Sequence, residues 1–239
     1  MKENISISDS INEYLDSLIA EIHLSKNTQL AYTNDLKKYE KYLEDKKIYK
    51  IEEIQKDDIF NFLKYLKKKG LKPQSIAHYL TSIKNYHKFL LQNEYLEKDI
   101  AASIERPKLI KKLPNVLTVE EVDKLLDIDT ITPFDYRNKC MLELLYGTGL
   151  RISELLSLTI NDIDTINCTI RCIGKGNKER IVPINDYVIK ALNSYLEVRP
   201  LLLKNKTTKE LFLNSRGNKL SREGFFKELK KILLKKGLN

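Results

Sequence analysis

Arg151, Lys175 and Lys178 are the side chains whose types and settings best suit chemistry on a phosphate. Arg151 directly follows Tyr146-Gly147-Thr148-Gly149-Leu150, and a short apolar pattern begins at Ile152. Glycines at 147 and 149 predict a tight turn with positive φ that breaks one helix and starts the next. Arg151 then stands at the start of the second helix, where backbone N–H groups point outward and a guanidinium can grip an anion. A solvated or ion-paired arginine fits the same residues. Lys175 and Lys178 lie in Gly174-Lys175-Gly176-Asn177-Lys178, a turn between two strand-like stretches. A lysine on such a tip can enter a groove, lie against a phosphate, or simply be solvated.

The elements that must carry these residues follow from periodicity. Thr118-Val119-Glu120-Glu121 is a capping-box pattern opening a helix with Val122, Leu125 and Leu126 inward. A longer helix is predicted from about Pro133 to Tyr146, ending at the two glycines. Thr169–Ile173 and Glu179–Ile184 read as the strands of a hairpin, and Pro183 confines the second to a short or edge position. Another helix is predicted from Asp186 to about Val198, stopped by Arg199-Pro200, and Leu211-Phe212-Leu213 reads as a further short strand. The last helix begins near Ser221, with Phe226, Leu229 and Leu233 inward and Lys227, Lys231 and Lys235 on another face.

Residues 1–96 carry no catalytic cluster. Four helical stripes follow one another: Ile11, Tyr14 or Leu15, Leu18 and Ile22; Tyr32, Leu36, Tyr39 and Leu43; Ile59, Phe62, Leu63 and Leu66; Ile76, Leu80, Ile83 and Leu90. Their polar faces are rich in lysine, and such a bundle can sit on DNA phosphates or be merely solvated. The expected DNA contacts here are Lys67, Lys68, Lys72 and Lys84, with Ser75 and His78 on the fourth helix. Periodicity lapses over 97–115, where Arg106-Pro107-Lys108 and Lys111-Lys112-Leu113-Pro114 suggest a basic linker. Residues 116–239 form the second domain.

Composition narrows the partner. The 239 residues carry a formal charge of +9, which favours an anionic partner such as nucleic acid. No apolar run is long enough for a membrane span, and Met1-Lys2-Glu3-Asn4 does not open a signal peptide, so a cytoplasmic protein is expected. Cys140, Cys168 and Cys172 read as reduced packing residues, with 168 and 172 on one face of a strand. No metal site is expected, and His23, His78 and His87 are too scattered for one.

Together, Tyr146-Gly147-Thr148-Gly149-Leu150-Arg151-Ile152-Ser153-Glu154-Leu155 and Ile173-Gly174-Lys175-Gly176-Asn177-Lys178-Glu179-Arg180 resemble the two leading motifs of tyrosine recombinases, the phage-integrase family. The chain looks closest to bacterial Xer-type recombinases, and Ala31-Tyr32-Thr33-Asn34-Asp35-Leu36 is similar to part of their core-binding domain. The resemblance implies a mainly α protein: a helical, SAM-like core-binding bundle followed by part of an α+β catalytic domain with a β-hairpin. It implies DNA strand cleavage and rejoining through a 3′-phosphotyrosine, without metal, ATP or other cofactor. Arg151 would bind a nonbridging oxygen of the scissile phosphate, where transition-state charge accumulates. Lys175 would be the general acid for the leaving 5′-oxygen. Glu154 would hold the site in place, although an ordinary i, i+3 ion pair with Arg151 describes it equally. Lys178 and Arg180 join the expected DNA contacts.

The family pattern continues with a His-x-x-Arg motif, a further His or Trp, and the nucleophilic tyrosine. None can be placed here: no His follows His87, and the last tyrosine is Tyr195. The expectation is therefore a recombinase truncated at its C-terminus, binding double-stranded DNA without cleaving it. A full-length homologue would assemble as a tetramer or with a partner recombinase. The alternative is a DNA-binding fragment that competes with such an enzyme.

Overall fold

Four amphipathic stripes in the first hundred residues close on one another to form the first of two units, divided between Leu113 and Pro114. The structure, a computed structural model, describes residues 5–20, 26–107, 116–174 and 178–238. The first unit's helices are α1 (Ile7–Ala20), α2 (Lys26–Asp45), α3 (Lys56–Lys68) and α4 (Pro73–Gln92). Ile11, Tyr14 and Leu18, then Leu36, Tyr39 and Leu43, then Ile59, Phe62 and Leu66, then Leu80, Ile83 and Leu90 are buried in one core. Tyr14, not its alternative Leu15, takes the fully buried place on α1, and Tyr32 is only partly buried. Ile22 and His23 lie outside the described residues. Pro73 occupies the first turn of α4, where its missing N–H costs nothing.

The segment expected as a linker begins inside this unit. Ala101 and Ile104 are buried in its core, and Asp99 Oδ1 accepts the N–H groups of Ala101 and Ala102 at 2.9 and 3.0 Å. Lys108 to Asn115, which hold the remaining basic residues of that segment, lie outside the described residues.

The second unit contains α5 (Val119–Leu126), α6 (Pro133–Thr148), α7 (Ile152–Ser157), β1 (Ile163–Asp164), β2 (Thr169–Ile173), β3 (Glu179–Pro183), α8 (Asp186–Val198) and α9 (Arg222–Lys236). Thr118 and Glu121 form the expected reciprocal cap of α5, at 3.3 and 2.8 Å. The three strands make an antiparallel sheet in the order β1-β2-β3, with Cys172 opposite Arg180 and Ile173 opposite Glu179. Ile170 and Cys172 face the core, while Arg171 and Ile173 face out. β3 is an edge strand ending at Pro183, where a missing donor is tolerated.

Four expectations need correction. The helix does not break at Gly147: α6 runs through it to Thr148, and Gly149 alone takes the left-handed conformation, at φ 62°. Gly147 is needed for space, because a Cβ there would stand 2.7 Å from Val188 Cγ2 on α8. Leu211-Phe212-Leu213 is buried but forms no strand: isolated bridges pair Glu210 with Thr159 and Leu213 with Lys219. Side chains satisfy its outer carbonyls, with Tyr195 Oη and Arg199 Nε donating to Leu211 and Arg137 Nη1 to Leu213 at 2.7 Å, while the Leu220 N–H donates to Phe212 at 2.9 Å. On α9 it is Phe225 that turns inward, with Leu229, while Phe226 is exposed beneath the Arg222 guanidinium. Cys168 precedes β2 with φ 53°, so strand alternation does not relate it to Cys172. Among the described residues no helix is long and apolar enough to cross a membrane.

Candidate functional site: a carboxylate between two arginines

The end of α6 fixes the first half of the site. Thr148 Oγ1 donates back to the Leu144 carbonyl and accepts from the Leu150 N–H. The Gly149 N–H closes the helix on Leu145 at 3.1 Å, and Leu150 is driven into the core. The chain therefore leaves the turn extended at Arg151 (φ −68°, ψ 149°), which becomes the residue before α7. Glu154 folds back on it. Glu154 Oε2 accepts the Arg151 backbone N–H at 2.8 Å, and Oε1 accepts from Arg151 Nη1, also at 2.8 Å.

The hairpin supplies the second half. Arg180, on β3, donates from Nη2 to Glu154 Oε2 at 2.9 Å and from Nε to Cys172 Sγ, its cross-strand partner, at 3.2 Å. The backbone of the hairpin's first turn residue also lies against the carboxylate: a Cβ on Gly174 would be 3.5 Å from Glu154 Oε1. The Gly174 N–H closes on the Lys178 carbonyl at 2.8 Å. Lys175, the expected general acid, lies outside the described residues, between these two.

The electrostatics follow from this packing. The Glu154 side chain is 4% exposed, whereas those of Arg151 and Arg180 are 65% and 42% exposed. Burial acts to raise the Glu154 pKa. The bonds from the Arg151 backbone and guanidinium and the two positive charges outweigh it, so the carboxyl sits below its ordinary value. The arrangement is one buried anion flanked by two accessible cations, leaving a net positive site that can accept a further anion. Among the described residues, no group of three or more His, Cys, Asp or Glu is placed to hold a metal ion.

The first unit's expected DNA contacts separate into two sets. Lys67 and Lys68 at the end of α3, Lys72 before α4, and Ser75 and His78 in its first turns are exposed. Lys84 is half-buried and donates to the Ala102 carbonyl at 3.0 Å, tying the segment after α4 to that helix. Two other polar residues of α4 are also engaged: Ser82 bonds Asp35 at 2.6 Å, and Asn85 bonds the Tyr32 hydroxyl at 2.7 Å. In the second unit Lys178 is exposed. Sequence reasoning missed the partnership of Arg180 with Glu154 and Cys172. Its signal was available, since a five-residue turn over 174–178 already sets Cys172 opposite Arg180.

Comparison with known proteins places the chain in a family. The phage integrase family model matches residues 115–239, and that of the phage integrase N-terminal SAM-like domain matches residues 11–94. The tyrosine recombinase XerD of Staphylococcus epidermidis is 46% identical over 231 residues, covering 96% of this chain and 78% of the relative. That of Oceanobacillus iheyensis is 40% identical over 232 residues, with the same two shares. Among solved structures, a lambda integrase dimer bound to a COC′ core site superposes with a TM-score of 0.73 at 16% identity. The XerH site-specific recombinase bound to palindromic difH substrate does so with 0.69 at 24%. The match covers 99% and 89% of this chain, but only 65% and 64% of those two chains. At these identities the two structures show a shared fold. With nearly half of its aligned residues shared with a curated recombinase along almost its whole length, the chain belongs to the phage integrase family, the tyrosine recombinases.

Proposed function

We propose that the protein acts in site-specific DNA recombination, binding duplex DNA and holding a backbone phosphate at Arg151. The observation that carries this reading is the buried Glu154 clamped between Arg151 and Arg180, with most of the Arg151 side chain still open to solvent. A lone exposed arginine would be held by nothing; this one is tied to a single carboxylate by its backbone N–H and by Nη1 of its side chain. Its planar fork can give two directed bonds to phosphate oxygens, on which charge builds during phosphoryl transfer. Lys175, between β2 and β3 in the sequence, is assigned as general acid toward the leaving 5′-oxygen, by its match to the family pattern. The named XerD relatives and the DNA-bound neighbours support DNA as the partner.

In the first unit, Lys67, Lys68, Lys72, Ser75 and His78 are proposed to lie along the DNA backbone, joined by Lys178 in the second. Such contacts supply affinity and register rather than sequence reading. A cytoplasmic location and assembly on DNA with further copies or a partner recombinase belong to the same reading. The Tyr195 hydroxyl is buried and committed to the Leu211 carbonyl, so it does not serve as the nucleophile. No covalent adduct through Tyr195 is therefore expected.

Gel-shift titration of a duplex at several salt concentrations tests the shared premise. Binding that weakens steeply with salt is expected, and absence of binding even at low salt would sink the reading. A nicked suicide substrate then separates binding from cleavage: a covalent protein–DNA adduct would show that a tyrosine within these residues attacks.

A further inference from the structure

Arg180 and Arg151 share one carboxylate, but they spend different edges of their guanidinium groups on it. A guanidinium makes its two-bond contacts most readily through a pair of neighbouring N–H groups, either Nε with Nη2 or the two terminal nitrogens. In Arg180 the Nε–Nη2 edge is already occupied: Nε donates to Cys172 Sγ at 3.2 Å and Nη2 to Glu154 Oε2 at 2.9 Å. Among the described residues only Nη1 of the Arg151 side chain is engaged, by Glu154 Oε1, which leaves the Nε–Nη2 edge open on a side chain 65% exposed. The two arginines are thus unequal. One presents an unused fork to solvent, and the other is pinned at both points of its fork by its own protein.

The pinning also bears on charge. A single carboxylate facing Arg151 alone would cancel its charge and invite the guanidinium to close over both oxygens. Arg180 prevents both effects. It adds the second positive charge, and it competes for Oε2, which also accepts the Arg151 backbone N–H. Glu154 is left with only Oε1 for the Arg151 side chain. Because Arg180 stands on β3 and Glu154 on α7, the same bond ties the hairpin that bears Lys175 to the turn that bears Arg151.

We infer that Arg180 is a positioning residue for the phosphate site, acting through Glu154 on Arg151, and not a DNA contact in its own right. This rests on the phosphate-binding reading of Arg151. It replaces the sequence-based expectation that Arg180 touches DNA.

A double-mutant cycle tests it on the full chain, with a duplex selected by the unaltered protein from a random pool as the probe. Arg151→Ala is expected to weaken binding about tenfold, and Arg180→Ala about fivefold. In the Arg151→Ala background the further loss from Arg180→Ala should be less than about twofold, since its route to DNA is gone. Equal losses in both backgrounds would make Arg180 an independent contact, or a residue of general stability, and overturn the inference. So would an Arg180→Ala variant that binds as tightly as the unaltered chain. Should Arg180→Ala fail to fold by thermal unfolding, Arg180→Gln carries the same cycle with the space filled and the charge removed. If Arg151→Ala itself leaves affinity unchanged, the phosphate site fails and the inference with it. An Arg151 effect joined to an additive Arg180 effect overturns only the coupling.

Discussion

His87 in the first unit and Glu154 in the second are both ionisable and nearly inaccessible, at 0% and 4% exposure, yet one is held neutral and the other charged. Around His87 the neighbours are rings. Tyr86 and Tyr39 approach edge-on, with centroids 5.4 and 6.4 Å away, and neither imidazole nitrogen has a hydrogen-bond partner among the described residues. Burial pushes its pKa down to about 4, against a weaker upward pull from Asp99. Around Glu154, three N–H groups converge on two oxygens and hold the charge in place. Burial opposes charge at both positions; the supply of directed partners decides the outcome. The first unit is therefore stiffened by apolar packing around a silent histidine. The second stores an organised charge where an anion is proposed to bind.

Acid should break this comparison most visibly, because both groups lose their native state but at different pH. The pKa of His87 is lower in the folded protein than in the unfolded chain, so the unfolded chain binds the extra proton first. Stability is full above the ordinary histidine value of about 6.5 and falls as pH drops from there toward about 4, by about 3 kcal/mol over the window. The Glu154 pKa is also lower when folded, but its stabilisation is present above the ordinary carboxylate range and is lost only at more acidic pH. Protection factors of amides in Tyr86–Leu90, corrected for the intrinsic pH dependence of exchange, should fall between about pH 6.5 and 5, while those of Glu154–Ser157 change less. Equal pH dependence in both segments would contradict the contrast.

Glu154→Gln probes the other side at neutral pH. The amide keeps the shape, but it turns an N–H group toward donors where a carboxylate oxygen had accepted. A loss of about 2 kcal/mol is expected in denaturant unfolding. High salt should narrow the gap between variant and parent, since the two arginines are solvent-accessible. An unchanged midpoint would show that the clamp contributes nothing to the second unit.

The two regions also differ in how much of them could be read in advance. The first unit's core follows from spacing alone: Leu36, Tyr39 and Leu43, or Ile59, Phe62 and Leu66, can face only one way on a helix. The position of His87 was legible, four residues after Ile83 and three before Leu90 on the buried stripe of α4, but its polar type left it open between surface and packing. In the second unit Arg151 and Glu154 were legible as a pair three residues apart, but the third member came from a strand 26 positions later. Only the hairpin register brings Arg180 there. Gly147 was assigned to a turn because glycine signals turns, whereas here it signals contact between α6 and α8. Gly147→Ala should accordingly cost about 1–2 kcal/mol through the clash with Val188, without disturbing helicity. A glycine whose role was backbone freedom would instead fray the end of α6, visible as lost amide protection at Leu145 and Tyr146.

The smallest effect is the sharpest test. His87→Phe removes two buried nitrogens that bond nothing among the described residues and leaves a ring of similar outline among Tyr39 and Tyr86. Losing a satisfied hydrogen bond would cost stability; losing an unsatisfied group recovers its desolvation penalty. The slightly larger phenyl ring opposes that gain through packing strain. The two should nearly cancel, leaving the variant within about 1 kcal/mol of the parent at pH 7 in denaturant unfolding. At pH 5 the variant should be the more stable protein, because the imidazole that would take up a proton on unfolding is gone. A variant much weaker than the parent at pH 7 would mean that the histidine is held by polar partners after all, and the contrast with Glu154 would collapse.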